Sequence, residues 1–126
     1  MRHLVTAALL VAAVIHLLPL AGVLGPERLG ALYGVDAGEP NLQILLRHRA
    51  VLFGLLGALL AVAAFRPALQ APALIGGFAS MASFLWLAWT VGQANALLQR
   101  VVMVDLVALA ALVAGTAAWA LARRTG

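Results

Sequence analysis

The chain has 126 residues, 65% of them hydrophobic and only 10% charged, too apolar a balance for a soluble domain of this size to cover its core with polar surface. It has no cysteine, which excludes disulfides and thiolate metal sites. The net charge of +4 comes from eight basic residues, all arginine, and these are scattered between apolar runs rather than gathered in a stripe, which argues against nucleic-acid binding.

A membrane span needs about 20 mainly apolar residues to cross a hydrocarbon core of about 30 Å. Four segments qualify: residues 4–24, 42–65, 73–94 and 101–121. The first follows Met1-Arg2-His3 and reads as a retained helix rather than a signal peptide, since His16 and the apolar run through Leu24 are not followed by an A-x-A cleavage site. The longest connection, residues 25–40, is rich in glycine and reads as a short interfacial helix around Glu27–Tyr33 followed by a loop. Pro40-Asn41 offers a turn and an Asn cap for the second helix, which stops at Arg66-Pro67. Pro72 opens the third helix, and Arg100 precedes the fourth.

The expectation is therefore an all-α integral membrane protein, a single domain over 1–126 built as an antiparallel four-helix bundle. Four spans put both termini on one side. Arginines near helix ends divide evenly between the two sides, and drawing Arg47 into the bundle tilts the balance toward cytoplasmic termini.

Asp105 is the only acid in the fourth span. An ionised Asp at mid-helix in lipid costs about 2.5–3.5 kcal/mol on insertion scales, so such residues face a partner or a wet cavity. Asp105 lies about 7 Å beyond Arg100 and Arg47 about 9 Å beyond Asn41 at 1.5 Å per residue. His16 is near the exit of the first helix, and Gln93 and Asn95 close the third. All of these belong to the side away from the termini.

Helical phase puts Gln43, Arg47, Ala50, Gly54, Gly57, Ala58 and Ala61 on one small-residue face, directing Arg47 into protein. Arg49 shares its face with Leu46, Phe53, Leu56 and Leu60, which reads as lipid-directed, so Arg49 is expected to reach headgroups together with His48 and Arg100. Asp105 lines up with Ala108, Leu112, Gly115 and Thr116; Thr6, Leu9, Ala13 and His16 coincide on the first helix. A polar pocket open to the outer leaflet follows, with Asp105 paired to Arg47, and His16, Gln93 and Trp89 beside them. Its rival is an ion pair that merely locks the second helix to the fourth. Histidines on separate helices amid guanidinium groups disfavour a metal, and no G-x-S-x-G, H-E-x-x-H or phosphate-binding motif occurs.

The segment Gly25-Pro26-Glu27-Arg28-Leu29, followed by Leu32-Tyr33-Gly34-Val35 and by Arg47-His48-Arg49-Ala50 with Gly54 and Gly57, resembles the DoxX-like superfamily of small four-helix bacterial membrane proteins. The resemblance follows the order of all four helices, with its specific part over residues 25–57. It implies a compact antiparallel bundle with the longest connection after the first helix; members include proteins assigned as quinone-linked oxidoreductase subunits and many of unknown role, and the expected location is the bacterial inner membrane. No cofactor ligands carry over from it, and the cofactor stays unassigned.

The leading expectation is a binding or scaffold protein, more a binder than an enzyme. It would hold a lipid, quinone or other small amphiphile in the outer-leaflet pocket, or serve as an accessory subunit in a homo-oligomer or larger membrane complex. A small dimeric transporter or channel is the second reading. The third is a membrane-embedded oxidoreductase subunit in which His16 and Asp105 move protons.

Overall fold

The computed structural model describes residues 2–36 and 38–125. Helix α1, Arg2–Leu17, tightens into a 3-10 segment over Leu18–Leu24. Pro19 explains the change, because it has no N–H to give the preceding turn and its ring crowds the carbonyl four residues back. Gly25, at φ 136°, breaks the chain direction, and Pro26 starts the short helix α2, Pro26–Tyr33. Gly34 ends α2 in the left-handed region at φ 66°, its N–H donating to Gly30 O at 2.8 Å.

Helix α3, Pro40–Ala63, is capped by Glu39, whose carboxylate accepts from the N–H groups of Asn41 and Leu42 at 3.0 and 2.9 Å. The cap therefore falls two residues before Asn41, the residue expected to provide it. Pro40 is the reason: its fixed φ suits the first helical position, which leaves the residue before it as the cap. Arg66 is extended, as a residue preceding proline must be. After a 3-10 turn at Pro67–Leu69, helix α4 runs Gln70–Val91, with Pro72 inside its first turn rather than before it.

Helix α4 stops at Gly92 and Gln93, both at positive φ, so Gln93 and Ala94 lie outside the helix expected to include them. Asn95 then caps α5, Ala96–Thr125, by accepting from Leu98 N at 2.8 Å. This cap starts α5 five residues earlier than the apolar run suggests and takes Arg100 into the helix. At 30 residues, α5 is about 45 Å long and outreaches a hydrocarbon core of about 30 Å.

Among the described residues, Arg2–Leu24, Pro40–Ala63, Pro67–Val91 and Ala96–Thr125 are long and apolar enough to cross a membrane. The chain is thus an all-helical, multi-pass membrane protein. The four long helices close a ring of contacts in which α1 packs on α3 and α5, and α4 packs on the same two. Leu9, Leu60, Met81 and Leu112 fill the middle, and Ala8, Ala12, Ala13 and Ala108 let α1 and α5 approach closely. A Cβ on Gly115 would meet Ala8 Cβ at 2.6 Å, and one on Gly57 would meet Leu17 at 2.8 Å. Large apolar side chains such as Leu45, Leu55, Ile75 and Val107 face outward. In water they would form an aggregating surface, whereas lipid solvates them at no cost.

Candidate functional site

The polar side chains gather at the end of the ring where α2 sits. His16 closes α1 and is 1% exposed. Its Nδ1 donates to Ala12 O at 2.8 Å, since a carbonyl can only accept, and in the neutral ring this leaves Nε2 to accept from the Ser80 hydroxyl at 2.9 Å. That second bond joins α1 to α4 across the diagonal of the ring. The imidazole also stacks on Phe53 of α3, with centroids 5.3 Å apart.

Arg49 lies over the other residues of this layer. Its guanidinium is 4.3 Å from the centroid of Phe53, 5.3 Å from that of Tyr33 and 5.8 Å from that of Phe84. Nη1 donates to the Tyr33 hydroxyl at 2.8 Å. Three aromatic faces and a phenol oxygen thus hold the cation in a half-buried place while its charge remains unneutralised. Tyr33 is 6% exposed, and Asn95 ties α2 down by donating from Nδ2 to Tyr33 O at 2.7 Å.

Asp105 enters from α5 and is 7% exposed. The charge acting on it is that of Arg49, which also acts on His16. No hydrogen bond or ion pair within 4.0 Å engages the Asp105 carboxyl among the described residues, so carboxylate and guanidinium share one layer without touching.

The two arginines of α3 exchange the roles that helical phase assigned them. Arg47 is exposed, and its Nε donates to Val23 O at 2.9 Å, so it does not reach Asp105. The small-residue stripe it belongs to does face protein: a Cβ on Gly54 would meet Leu20, and one on Gly57 would meet Leu17. That stripe packs on α1 and the 3-10 segment, away from α5. Arg49 does not reach outward, because the face it shares with Phe53, Leu56 and Leu60 is a second protein-facing side that turns toward α4; Leu60 is fully buried.

The remaining expected residues lie outside the layer. Trp89 and Trp86 are exposed, with ring centroids 5.6 Å apart, and Gln93 is exposed in the α4–α5 turn. His48 and Arg100 are exposed. Among the described residues no group of three or more His, Asp or Glu side chains could hold a metal ion.

Tyr33, Ser80, Phe53 and Phe84 belong to the site and were missed by the sequence reading. The Arg49/Phe53 spacing of four residues was the available signal, since it sets a cation over a ring on one helix face. In comparisons with known proteins, no family model, curated protein or solved structure matches the chain.

Proposed function

We propose that this chain is an antiparallel four-helix bundle of the DoxX-like kind in a bacterial inner membrane, with both termini cytoplasmic and α2 along the outer interface. In this reading it binds the polar head of a small amphiphile, a lipid or a quinone, between Arg49 and Asp105. The observation carrying the proposal is the untouching pair: the Asp105 carboxyl, on a buried residue and without a hydrogen bond, within the field of a guanidinium that no acid contacts among the described residues. A structural lock would be expected to close that gap, because two charges taken out of water recover their solvation only in direct contact. A head offering both a donor and an acceptor fills it instead, accepting from Arg49 and donating to Asp105. Phe53 and Phe84 hold the Arg49 cation in place for that head.

Native mass spectrometry of the purified full-length chain tests the proposal. The expected result is one co-purifying amphiphile per chain, lost in Asp105→Asn while the helical signal and the melting temperature persist. Retention of the same bound species in Asp105→Asn, or a wild-type chain free of any bound amphiphile, would overturn it. Destabilisation by Asp105→Asn that an Asp105→Leu/Arg49→Leu pair repairs would instead assign the two residues to holding α3 and α5 together.

A further inference from the structure

The opposite end of the ring has the reverse character. Arg2 and His3 open α1, Arg66 stands between α3 and α4, and Arg123 and Arg124 close α5. The four acidic side chains of the chain, Glu27, Asp36, Glu39 and Asp105, all lie elsewhere. Between Arg2 and Arg123 opens a cavity of about 560 Å³, walled also by His3, Phe65, Gln70 and Trp119. That is the size of a small-molecule site, which typically encloses about 300–1,000 Å³.

The carbonyls that end α3 here have donors within the chain. Thr6 Oγ1 lies 3.1 Å from both Ala64 O and Arg2 O and shares its one proton between them, and Gln70 Nε2 donates to Ala63 O at 3.2 Å, so these carbonyls have donors other than the guanidinium groups. The Arg123 guanidinium lies 4.9 Å from the Trp119 ring centroid, a face contact that fixes the cation and leaves its in-plane N–H groups free. Trp119 has a second role, because it also walls an apolar groove of about 290 Å³ between α4 and α5, lined by Leu74, Ile75, Phe78 and Thr116. A cationic hollow and an apolar groove therefore meet at one indole.

We propose that this end binds one anionic phospholipid, its phosphodiester held by Arg2 and Arg123 with His3 at the rim and one acyl chain lying in the α4–α5 groove. The two unesterified oxygens of a phosphodiester match the planar fork of an arginine in a bidentate contact. The groove explains why the occupant is a lipid rather than free phosphate, which has nothing to place against Leu74, Ile75 and Phe78. Selectivity follows from charge: phosphatidylcholine brings a quaternary ammonium beside the same arginines, whereas phosphatidylglycerol brings only the anion. This site is separate from the Arg49–Asp105 layer and stands or falls without it.

The test is competition between phosphatidylglycerol and phosphatidylcholine, mixed in equal amounts with the detergent-purified full-length chain and read by native mass spectrometry. In the Asp105→Asn chain, which lacks the other site, one phosphatidylglycerol adduct per chain is expected, preferred at least tenfold, with the preference lost on adding Arg2→Gln/Arg123→Gln. A second readout needs no change at the arginines. In a Trp86→Phe/Trp89→Phe chain, whose remaining tryptophan is Trp119, phosphatidylglycerol with brominated chains should quench fluorescence more than its brominated choline counterpart. Equal adducts, equal quenching, or an unchanged preference in a folded double variant would each sink the proposal. So would displacement of the brominated lipid by an equal concentration of inorganic phosphate, which would make the site one for the free anion.

Discussion

The two ends of this molecule hold their charges in opposite ways. At the α2 end, Arg49 is enclosed by Tyr33, Phe53 and Phe84, His16 bonds across the ring to Ser80, and Asn95 fastens α2 to the start of α5. At the terminal end, Arg2 and Arg123 border a hollow with no acid in its lining, and the nearby Ala63 and Ala64 carbonyls have donors of their own. At the α2 end His16, Tyr33 and Asn95 are bonded between helices and only the Asp105 side of Arg49 stays open, whereas the terminal end leaves its cations for something outside the chain. Stability should therefore respond to mutation of the bonded residues at the α2 end, and the choice between anionic and zwitterionic phospholipid to mutations at the terminal end.

The hardest test of this contrast is Arg49→Gln. It removes the charged bond to Tyr33 and the cation's contact with the Tyr33, Phe53 and Phe84 faces, a loss of about 3 kcal/mol. Arg47→Gln, two residues away, costs about 1 kcal/mol, because only an exposed bond to Val23 O is lost. Denaturant unfolding in detergent measures both, and equal losses would mean that Arg49 is not enclosed as described. Next in size is Gly115→Ala, which would drive a methyl group against the backbone-anchored Ala8 Cβ and cost about 2 kcal/mol. Gly76→Ala should be close to neutral by the same measurement, since its Cβ meets only the flexible tip of Leu56 at 3.2 Å and the helix gains propensity.

Much of this architecture is readable from the residues alone. Apolar runs longer than a bilayer is thick announced four spans, and the three-and-four spacing of Asp105, Ala108, Leu112 and Gly115 marked the buried side of α5 correctly. The same rule placed Leu9, Ala13 and His16 inward on α1. It failed on α3 because it assumes one protein-facing side, whereas α3 touches α1 and the 3-10 segment on one side and α4 on another. With two such sides, bulk and polarity do not reveal which arginine enters the layer. Tyr33 was invisible for a different reason: it comes into place when α2 folds back over the ring, a long-range event that no periodicity within eight residues encodes.

A smaller effect separates the ends by hydroxyl rather than by charge. Thr116 Oγ1 is a buried side-chain atom with no hydrogen-bond partner, in contrast to the satisfied Ser80 near the α2 end. Thr116→Val keeps the shape and removes the unmet group, so it should stabilise the chain by about 1 kcal/mol. A loss of stability in the same unfolding experiment would show that this hydroxyl has found a partner in lipid or water.

The gentlest test uses pH at the cap of α3, the best-defined acidic contact at the α2 end. The N–H groups of Asn41 and then Leu42 hold the Glu39 carboxyl below its ordinary pKa of 4.5. A carboxyl lowered by folding adds stability that is fully present above the unfolded value and is lost as pH falls through the folded one. Protection of the Asn41 and Leu42 amides from hydrogen exchange, corrected for intrinsic rates, should thus be constant from neutral pH down to about 4.5 and decline below it. Glu39→Gln should remove that decline while leaving amides in the middle of α3 unchanged, because the cap's influence ends within the first turn. The terminal end offers no counterpart, since no acidic side chain caps α1 or lies near Arg123. An acid-dependent loss of protection around Thr6 that matched the one at Asn41 would therefore contradict the division of charge between the two ends.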